Sequence, residues 1–321
     1  MMNIVLSTPS CIAVDMLTQS NHQVAKSLLW MLGTLLSFCL MAIGARELSG
    51  EVSTFQMLFF RSVIGLVAIS LLMFATRTTA HVFTRRLRLH GLRNVFHYAG
   101  QYGWFVGIGL LPLAEVFALE FTVPLWTAII AWLFLGEALT KAKLAAIGFG
   151  LLGVFIIVKP GYEVVNLASL IVLGAAMCYS ISHACTKSLS ATEHPFTILF
   201  MMCVIQLPIG FVLALPSWQM PVGTQWNWLL LIGVTALSAH FCMTKAMQYA
   251  DVTSVVIMDF FRLPAIAVVG VFLYNEQFEW SLLLGALLML LGNVAAMSKL
   301  KAGNKIESEI TEVRANKTKR K

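Results

Sequence analysis

Charged residues are scarce in this chain. Asp, Glu, Lys and Arg make up 12% of its 321 residues, whereas a soluble domain carries about a quarter. Hydrophobic residues reach 59%, and the mean hydropathy is +0.82. A soluble protein of this length has no core large enough to bury so much apolar surface. The composition also excludes a disordered chain and a disulfide-stapled secreted domain. It predicts an all-α membrane protein that crosses the bilayer many times.

Motifs of common catalytic and metal sites are missing from the sequence. The six cysteines form no Cys-x-x-Cys pair and no Cys/His spacing of a metal site, so we expect no metal and no cofactor. There is no Walker lysine loop to use ATP and no His-Glu-x-x-His motif. An integral membrane enzyme is therefore the weaker alternative. The net charge of +7 does not indicate nucleic-acid binding, because the basic residues lie in short loops and at the C-terminus.

Long apolar runs fill most of the chain. A helix needs about 20 apolar residues to cross the hydrocarbon core of a bilayer. A polar segment at 1–26 precedes the first run, and a basic tail at 299–321 follows the last. Ten predicted spans meet the requirement: 27–45, 54–74, 94–111, 114–135, 142–158, 165–185, 196–215, 227–248, 252–273 and 281–298.

Lysine and arginine are distributed unevenly between alternate loops. If both termini are cytoplasmic, 18 of the 22 basic residues lie in inside segments and only two lie outside. Cytoplasmic loops of membrane proteins carry such an excess of positive charge. We therefore predict a multi-pass membrane protein with both termini in the cytoplasm.

The second half of the sequence repeats the first at a separation of 136 to 141 residues. Leu32-Gly33 corresponds to Leu173-Gly174, and Glu120-Phe121 corresponds to Asp259-Phe260. The chain thus divides into two repeats of five spans, at 27–158 and 165–298. An odd number of spans gives the repeats opposite orientations. Inverted repeats of this kind place a substrate site near the midplane of the membrane.

Several runs of residues carry a family resemblance. They are Phe55–Arg61 in the second span, 124–137 across the fourth and 259–276 in the ninth. Through them the chain resembles the EamA-type ten-helix carriers of the drug/metabolite transporter superfamily. The resemblance implies a secondary transporter that moves a small organic metabolite by alternating access. The segment Leu28–Ser49 is similar to proteobacterial riboflavin-uptake carriers, which implies riboflavin as the first substrate. Export of amino acids, drugs or other metabolites stays open.

Four charged residues stand out because they lie away from the ends of the predicted spans. A charge within the bilayer costs a few kcal/mol, so it usually faces a partner or a hydrated cavity. Asp259 and Arg262 lie one helical turn apart and can pair, and Arg61 and Glu120 can pair between the second and fourth spans. Two interpretations stay open. The pairs bind substrate and a coupling proton, or they only hold the two halves together, which we favour for Arg61.

Polar and aromatic side chains recur at helical spacing in the third, sixth and eighth spans. Polar side chains in a membrane protein prefer the interior of the bundle. Together these faces predict a hydrated cavity with aromatic walls, suited to a planar organic substrate. Interhelical hydrogen bonding is the alternative for any single residue. The residues assigned to substrate binding are Glu120, Asp259, Arg262, His97, Gln101, Trp104, Tyr179, His183 and His240.

A second group of residues is assigned structural or gating roles. Glu137 and Glu276 lie beside turns, where capping or ion pairing is expected. Pro124 and Pro264 each remove a backbone donor and are expected to bend the fourth and ninth spans. Arg61 completes this group.

Small residues at short spacing predict close packing of helices. Gly103 and Gly107 follow the small-xxx-small pattern, and Gly148, Gly150 and Gly153 lie within one span. Such positions let two helix backbones approach closely. The approach occurs within one protomer or between two copies, so a homodimer stays open.

Overall fold

The computed structural model describes residues 9–78, 82–135, 141–158, 166–190, 192–249, 259, 261–277, 279–292 and 294. The predicted tail at 299–321 and Glu137 lie outside these residues. The described part contains no strand. Its helices are α1 Pro9–Glu47, α2 Thr54–Ala75, α3 Leu87–Leu110, α4 Leu113–Glu120, α5 Val123–Leu135, α6 Lys141–Val158, α7 Leu167–Ser190, α8 Pro195–Ala214, α9 Gln225–Tyr249, α10 Arg262–Tyr274 and α11 Trp280–Gly292.

The predicted all-α membrane class is confirmed. Apolar composition and length make five helical segments able to cross a bilayer, whereas 147–157, α10 and α11 are apolar but shorter. The count of ten crossings stays a prediction. The five longer segments are Lys26–Glu47, Thr54–Ala75, Leu167–Thr186, Pro195–Ser217 and Gln225–Met243.

Two helices begin earlier than the apolar runs predict. Helix α1 starts at Pro9, so helical structure extends into the segment predicted as a polar lead-in. Helix α3 starts at Leu87, and Arg93, which the sequence placed in a loop, lies inside it with 4% of its surface exposed. Hydropathy detects only apolar residues, so it misses helical turns that contain polar ones. Arg93 can lie inside the helix because Thr186 and Asn94 accept its hydrogen bonds.

The fourth predicted span is broken in the middle. Helix α4 ends at Glu120, α5 begins at Val123, and Phe121 and Thr122 form a turn between them. The Thr122 hydroxyl donates to the Leu119 carbonyl over 2.7 Å. The second repeat has a turn at the corresponding place, where Phe261 precedes α10. Glu120 directly precedes the first of these turns, and Asp259 lies two residues before Phe261.

Pro124 and Pro264 lie in the first turn of α5 and of α10. Backbone N–H groups in a first helical turn have no acceptor within the helix, so proline removes no helical hydrogen bond there. The bend expected inside continuous helices is therefore wrong. The chain breaks first, and each proline follows the break.

The helices pack in pairs that join the two repeats. Helix α1 packs extensively on α9, α3 packs on α7, and α2 packs on α8. The first helix of each repeat thus contacts the third helix of the other repeat, and the two second helices contact each other. Exchanging the repeats leaves this pattern unchanged, as expected for a two-repeat carrier. The interface between the repeats is the centre of the molecule.

Glycine allows close approach within the protomer. A Cβ atom at Gly153 of α6 would lie 2.7 Å from the Gly285 carbonyl oxygen of α11. A Cβ atom at Gly107 of α3 would overlap Val172 of α7. Both contacts join the first repeat to the second. Gly107 and Gly153 therefore serve packing inside one chain.

Candidate substrate site

An ion cluster joins the broken helices at the centre of the molecule. The Arg262 guanidinium, 3% exposed, donates to Glu120 Oε1 over 3.2 Å and to Asp259 Oδ2 over 3.0 Å. Glu120 ends α4 of the first repeat, and Arg262 begins α10 of the second. Trp104 Nε1 donates to the other oxygen of Glu120 over 3.0 Å. With both carboxylates ionised, this cluster carries one excess negative charge.

Aromatic rings surround the guanidinium of this cluster. A cation near a ring face is attracted by the quadrupole of the ring. The three rings lie in α1, in α4 and in the turn that follows α4, all in the first repeat. The distances from the Arg262 guanidinium carbon to the ring centroids are 4.6 Å for Phe38, 5.0 Å for Phe117 and 5.5 Å for Phe121.

The predicted pair of Arg61 with Glu120 is wrong. Arg61 Nη1 donates to Gln101 Oε1 over 2.8 Å and lies 3.4 Å from Gln206 Oε1. Glu120 is occupied by Arg262 instead. Helical spacing shows which residues share a face, but it does not show which helix that face meets.

The polar stripes of three helices meet beside the cluster. His97 of α3 lies 5.4 Å from the His240 ring of α9 and 5.7 Å from the Tyr179 ring of α7, measured between centroids. The Tyr179 and His183 rings are nearly parallel, with centroids 6.3 Å apart. His97 is buried, Tyr179 and His240 are half-buried, and His183 is exposed. The structure thus brings the assigned residues of α3, α7 and α9 together, and His183 is the most accessible of these four rings.

Gln206 is a central residue that the sequence analysis missed. It lies in the apolar helix α8 and is fully buried. Its amide nitrogen lies 2.9 Å from His97 Nδ1 and 3.4 Å from Asn94 Oδ1, and its oxygen faces Arg61. One amide in an otherwise apolar helix is the signal that was available, because such a group must find partners inside the bundle.

A second ion pair joins the repeats at the end of the bundle where α1 finishes. Arg46 Nη2 donates to Glu276 Oε1 over 3.0 Å and to the Leu111 carbonyl over 2.6 Å. Glu276 also accepts from the Leu113 N–H at the start of α4, over 2.9 Å. A carboxylate is favourable at a helix N-terminus because of the unpaired N–H groups there. We name the contacts of Arg46, Glu276 and Leu113 the Arg46 lock.

The backbone before Glu276 explains a difference between the repeats. Asn275 has φ 53° and ψ 31°, in the left-handed region, at the end of α10. Glycine adopts this conformation without strain and asparagine tolerates it. The left-handed backbone therefore accepts asparagine at a position where the corresponding sequence of the first repeat has Gly136.

The opposite end of the bundle is also joined across the repeats. His90 Nε2 of α3 lies 2.6 Å from a carboxylate oxygen of Glu193, just before α8. Arg86 donates to the Ser188 carbonyl of α7 over 2.6 Å and to its hydroxyl over 2.7 Å. Hydrogen bonds between the repeats thus lie on both sides of the central site.

The sequence profile of the EamA-like transporter family matches this chain twice, over residues 25–159 and 166–297. The chain belongs to the EamA-like transporter family. Both halves carry the family's repeat, which agrees with the symmetric packing of helices between the two repeats. This EamA-family protein is a small-molecule transporter and a multi-pass membrane protein.

Named relatives are transporters of different molecules. The chain is 30% identical to a riboflavin transporter of Vibrio cholerae over 276 residues, which cover 84% of this chain and 92% of that protein. It is 24% identical to an S-adenosylmethionine uptake transporter of Rickettsia bellii, covering 81% of this chain and 89% of that protein. A crystal structure with a TM-score of 0.60 and 18% identity covers 85% of this chain and 96% of its own. That likeness shows the fold.

Proposed function

We propose that this EamA-family protein is a secondary carrier that takes up riboflavin across the bacterial inner membrane, with both termini in the cytoplasm. The supporting observation is the meeting of Tyr179, His183 and His240 beside the Arg262 cluster, between the two repeats. Flat rings with hydrogen-bonding nitrogens and oxygens suit a planar, polar heteroaromatic molecule. The similarity to a riboflavin transporter favours a flavin among such molecules.

Transport would proceed by alternating opening of the two ends. The Arg46 lock joins the repeats at one end, and the bonds of Arg86 and His90 join them at the other. Rocking of inverted repeats about a central site breaks one set of contacts while it keeps the other. The end of α4 at Glu120 and the start of α10 at Arg262 place the ion cluster at the centre of this movement.

A proton gradient is the proposed energy source. The Arg262 cluster holds two carboxylates for one guanidinium. Binding of one proton to Glu120 or Asp259 would remove its excess negative charge without breaking the remaining ion pair. Buried carboxylates in transporters often serve as proton relays.

Growth of a riboflavin-auxotrophic bacterium tests the substrate. The gene is expressed in a strain that lacks both riboflavin synthesis and its own flavin uptake, and growth is measured at low external riboflavin. We expect rescue by the wild type but not by Asp259→Asn, with both proteins detected in the membrane at equal amounts. Absence of rescue by a wild-type protein that is present in the membrane would contradict riboflavin uptake.

S-adenosylmethionine is the second candidate substrate, because the alignment with an S-adenosylmethionine uptake transporter covers 89% of that protein. Uptake of radiolabelled S-adenosylmethionine and riboflavin by the same membrane vesicles separates the two. Riboflavin uptake that excess S-adenosylmethionine does not reduce would exclude a shared site.

A further inference from the structure

Two arginines are buried in the bundle without an acidic partner. Arg61 of α2 and Arg93 of α3 are each 4% exposed. Within the part of the chain that the structure describes, neither forms an ion pair, whereas Arg46 and Arg262 each bind a glutamate. Burial of an unpaired charge is costly, and a bilayer adds to the cost. These two positions therefore need an explanation other than stability.

Among the residues that the structure describes, the hydrogen-bond partners of the two guanidiniums are neutral. Both hydrogen bonds of Arg61 leave from Nη1, towards Gln101 and Gln206. Its Nε is buried and has no hydrogen-bond acceptor in the described residues. The Nε edge of the Arg61 guanidinium is thus free to donate to a group from outside the protein.

Arg93 is held in the same way by neutral atoms. Its Nε donates to the Thr186 hydroxyl and its Nη1 to Asn94 Oδ1, each over 2.9 Å. Its Nη2 lies 4.0 Å from Met202 Sδ. These contacts fix the position of the guanidinium but leave its charge uncompensated.

The two arginines border one region of the bundle. Gln206 links them, since it contacts Arg61 through its oxygen and Asn94, the neighbour of Arg93, through its nitrogen. Met202 contacts Arg93 and also lines a small cavity against Arg61. The cavity measures about 10 Å³, which is room for one water-sized group such as a single oxygen atom. Two positive charges without an acidic partner in one region attract an anion.

We infer that Arg61 and Arg93 form a binding site for one carboxylate or phosphate group of the transported molecule. Guanidinium groups bind these anions through two parallel hydrogen bonds. The inference rests on the proposed function as a carrier and extends its substrates from neutral riboflavin to anionic metabolites. The anion enters when an end of the bundle opens, and its oxygen takes the place beside Arg61.

Riboflavin and riboflavin 5′-phosphate are a matched pair of probes, because they differ only in the anionic group. Quenching of flavin fluorescence on titration with purified full-length protein gives both dissociation constants. We expect the phosphate ester to bind about tenfold more tightly or more, since a hydrogen bond to a charged group contributes about 1.5–3 kcal/mol. Arg61→Gln and Arg93→Gln should each reduce this preference to less than about threefold.

Arg88→Gln is the control for loss of positive charge. Arg88 lies on the same helix as Arg93 but is exposed, so this variant should keep the full preference for the phosphate ester. If Arg61→Gln does not accumulate in the membrane, Arg61→Lys replaces it. Lysine keeps the charge without the fork, and an intermediate preference is expected. A preference unchanged in the Arg61 and Arg93 variants would overturn the inference.

Inorganic phosphate tests the anion site apart from any flavin. Phosphate should raise the melting temperature of the wild type more than that of Arg61→Gln. Stabilisation by phosphate without flavin binding would support the anion site and contradict riboflavin as substrate. Equal binding of both flavins without stabilisation by phosphate would overturn the anion site and leave riboflavin uptake standing. If phosphate competes with riboflavin 5′-phosphate, the ligand of the anion site is a group of the substrate. If phosphate instead strengthens binding of the ester, the site binds a free anion and the assignment to a substrate group is overturned.

Discussion

Arg262, the first residue of α10, binds Glu120, the last residue of α4, across the interface between the two repeats. The C-terminal end of a helix is the negative end of its dipole and the N-terminal end is the positive one. The ion pair therefore lies between two helix ends and connects the end of α4 to the start of α10. A movement of one repeat against the other must therefore strain or rearrange this contact.

Replacement of Arg262 by glutamine should abolish transport. The change leaves Glu120 and Asp259 without their buried cation, and loss of one partner of a buried pair costs about 3–5 kcal/mol. We expect uptake in membrane vesicles to fall to background and the melting temperature in detergent to fall as well. Glu51→Gln is the control, because Glu51 is exposed at one end of the bundle and should leave both quantities unchanged. Normal uptake by the Arg262 variant would remove this residue from the mechanism.

The repeated carboxylates were visible in the sequence, but the breaks beside them were not. Glu120 and Asp259 occupy corresponding places of the repeats, and the structure brings both to Arg262. The segment 113–135 reads as one apolar run, so hydropathy predicts one helix. The break depends on the turn at Phe121 and Thr122 and on contacts with other helices, which apolar periodicity does not encode.

The Arg46 lock should couple Arg46 and Glu276 energetically. Arg46→Gln and Glu276→Gln each remove one charge, and the double variant removes both. Residues that contact each other show interaction energies of about 0.5–3 kcal/mol in such cycles. We therefore expect the two single losses of stability to sum to more than the loss in the double variant, as measured by unfolding of the purified protein. Additive losses would show that the 3.0 Å contact contributes nothing to closing this end.

The partners of buried polar residues could not be predicted from the sequence. The spacing of α3 placed His97, Gln101 and Trp104 on one face, and all three are buried. Their partners come from α2, α8 and α4, at sequence separations that periodicity does not address. The assignment of Arg61 to Glu120 failed for this reason, and Gln206 was missed for the same reason.

Two glycines of α6 should respond differently to alanine. A Cβ atom at Gly153 would lie 2.7 Å from the Gly285 carbonyl oxygen, whereas a Cβ atom at Gly148 meets no atom within 4 Å. Gly153→Ala forces α6 away from α11 and should cost about 1–3 kcal/mol. Gly148→Ala should be neutral or stabilise the protein by about 0.5–1 kcal/mol, because alanine favours a helix over glycine. Thermal unfolding of both variants measures this, and equal melting temperatures would contradict the close approach of α6 and α11.

Tyr179 should bind flavin through its ring rather than through its hydroxyl group. The ring is half-buried, lies nearly parallel to His183 and contacts Gly100 of α3, where a Cβ atom would come within 3.0 Å of it. Loss of an aromatic contact costs about 0.5–1.5 kcal/mol, which corresponds to a rise of about two- to tenfold in the dissociation constant. We therefore expect Tyr179→Leu to weaken riboflavin binding by this factor and Tyr179→Phe to leave it unchanged, as measured by flavin fluorescence. Equal weakening in both variants would assign the contact to the hydroxyl group and contradict stacking as the mode of binding.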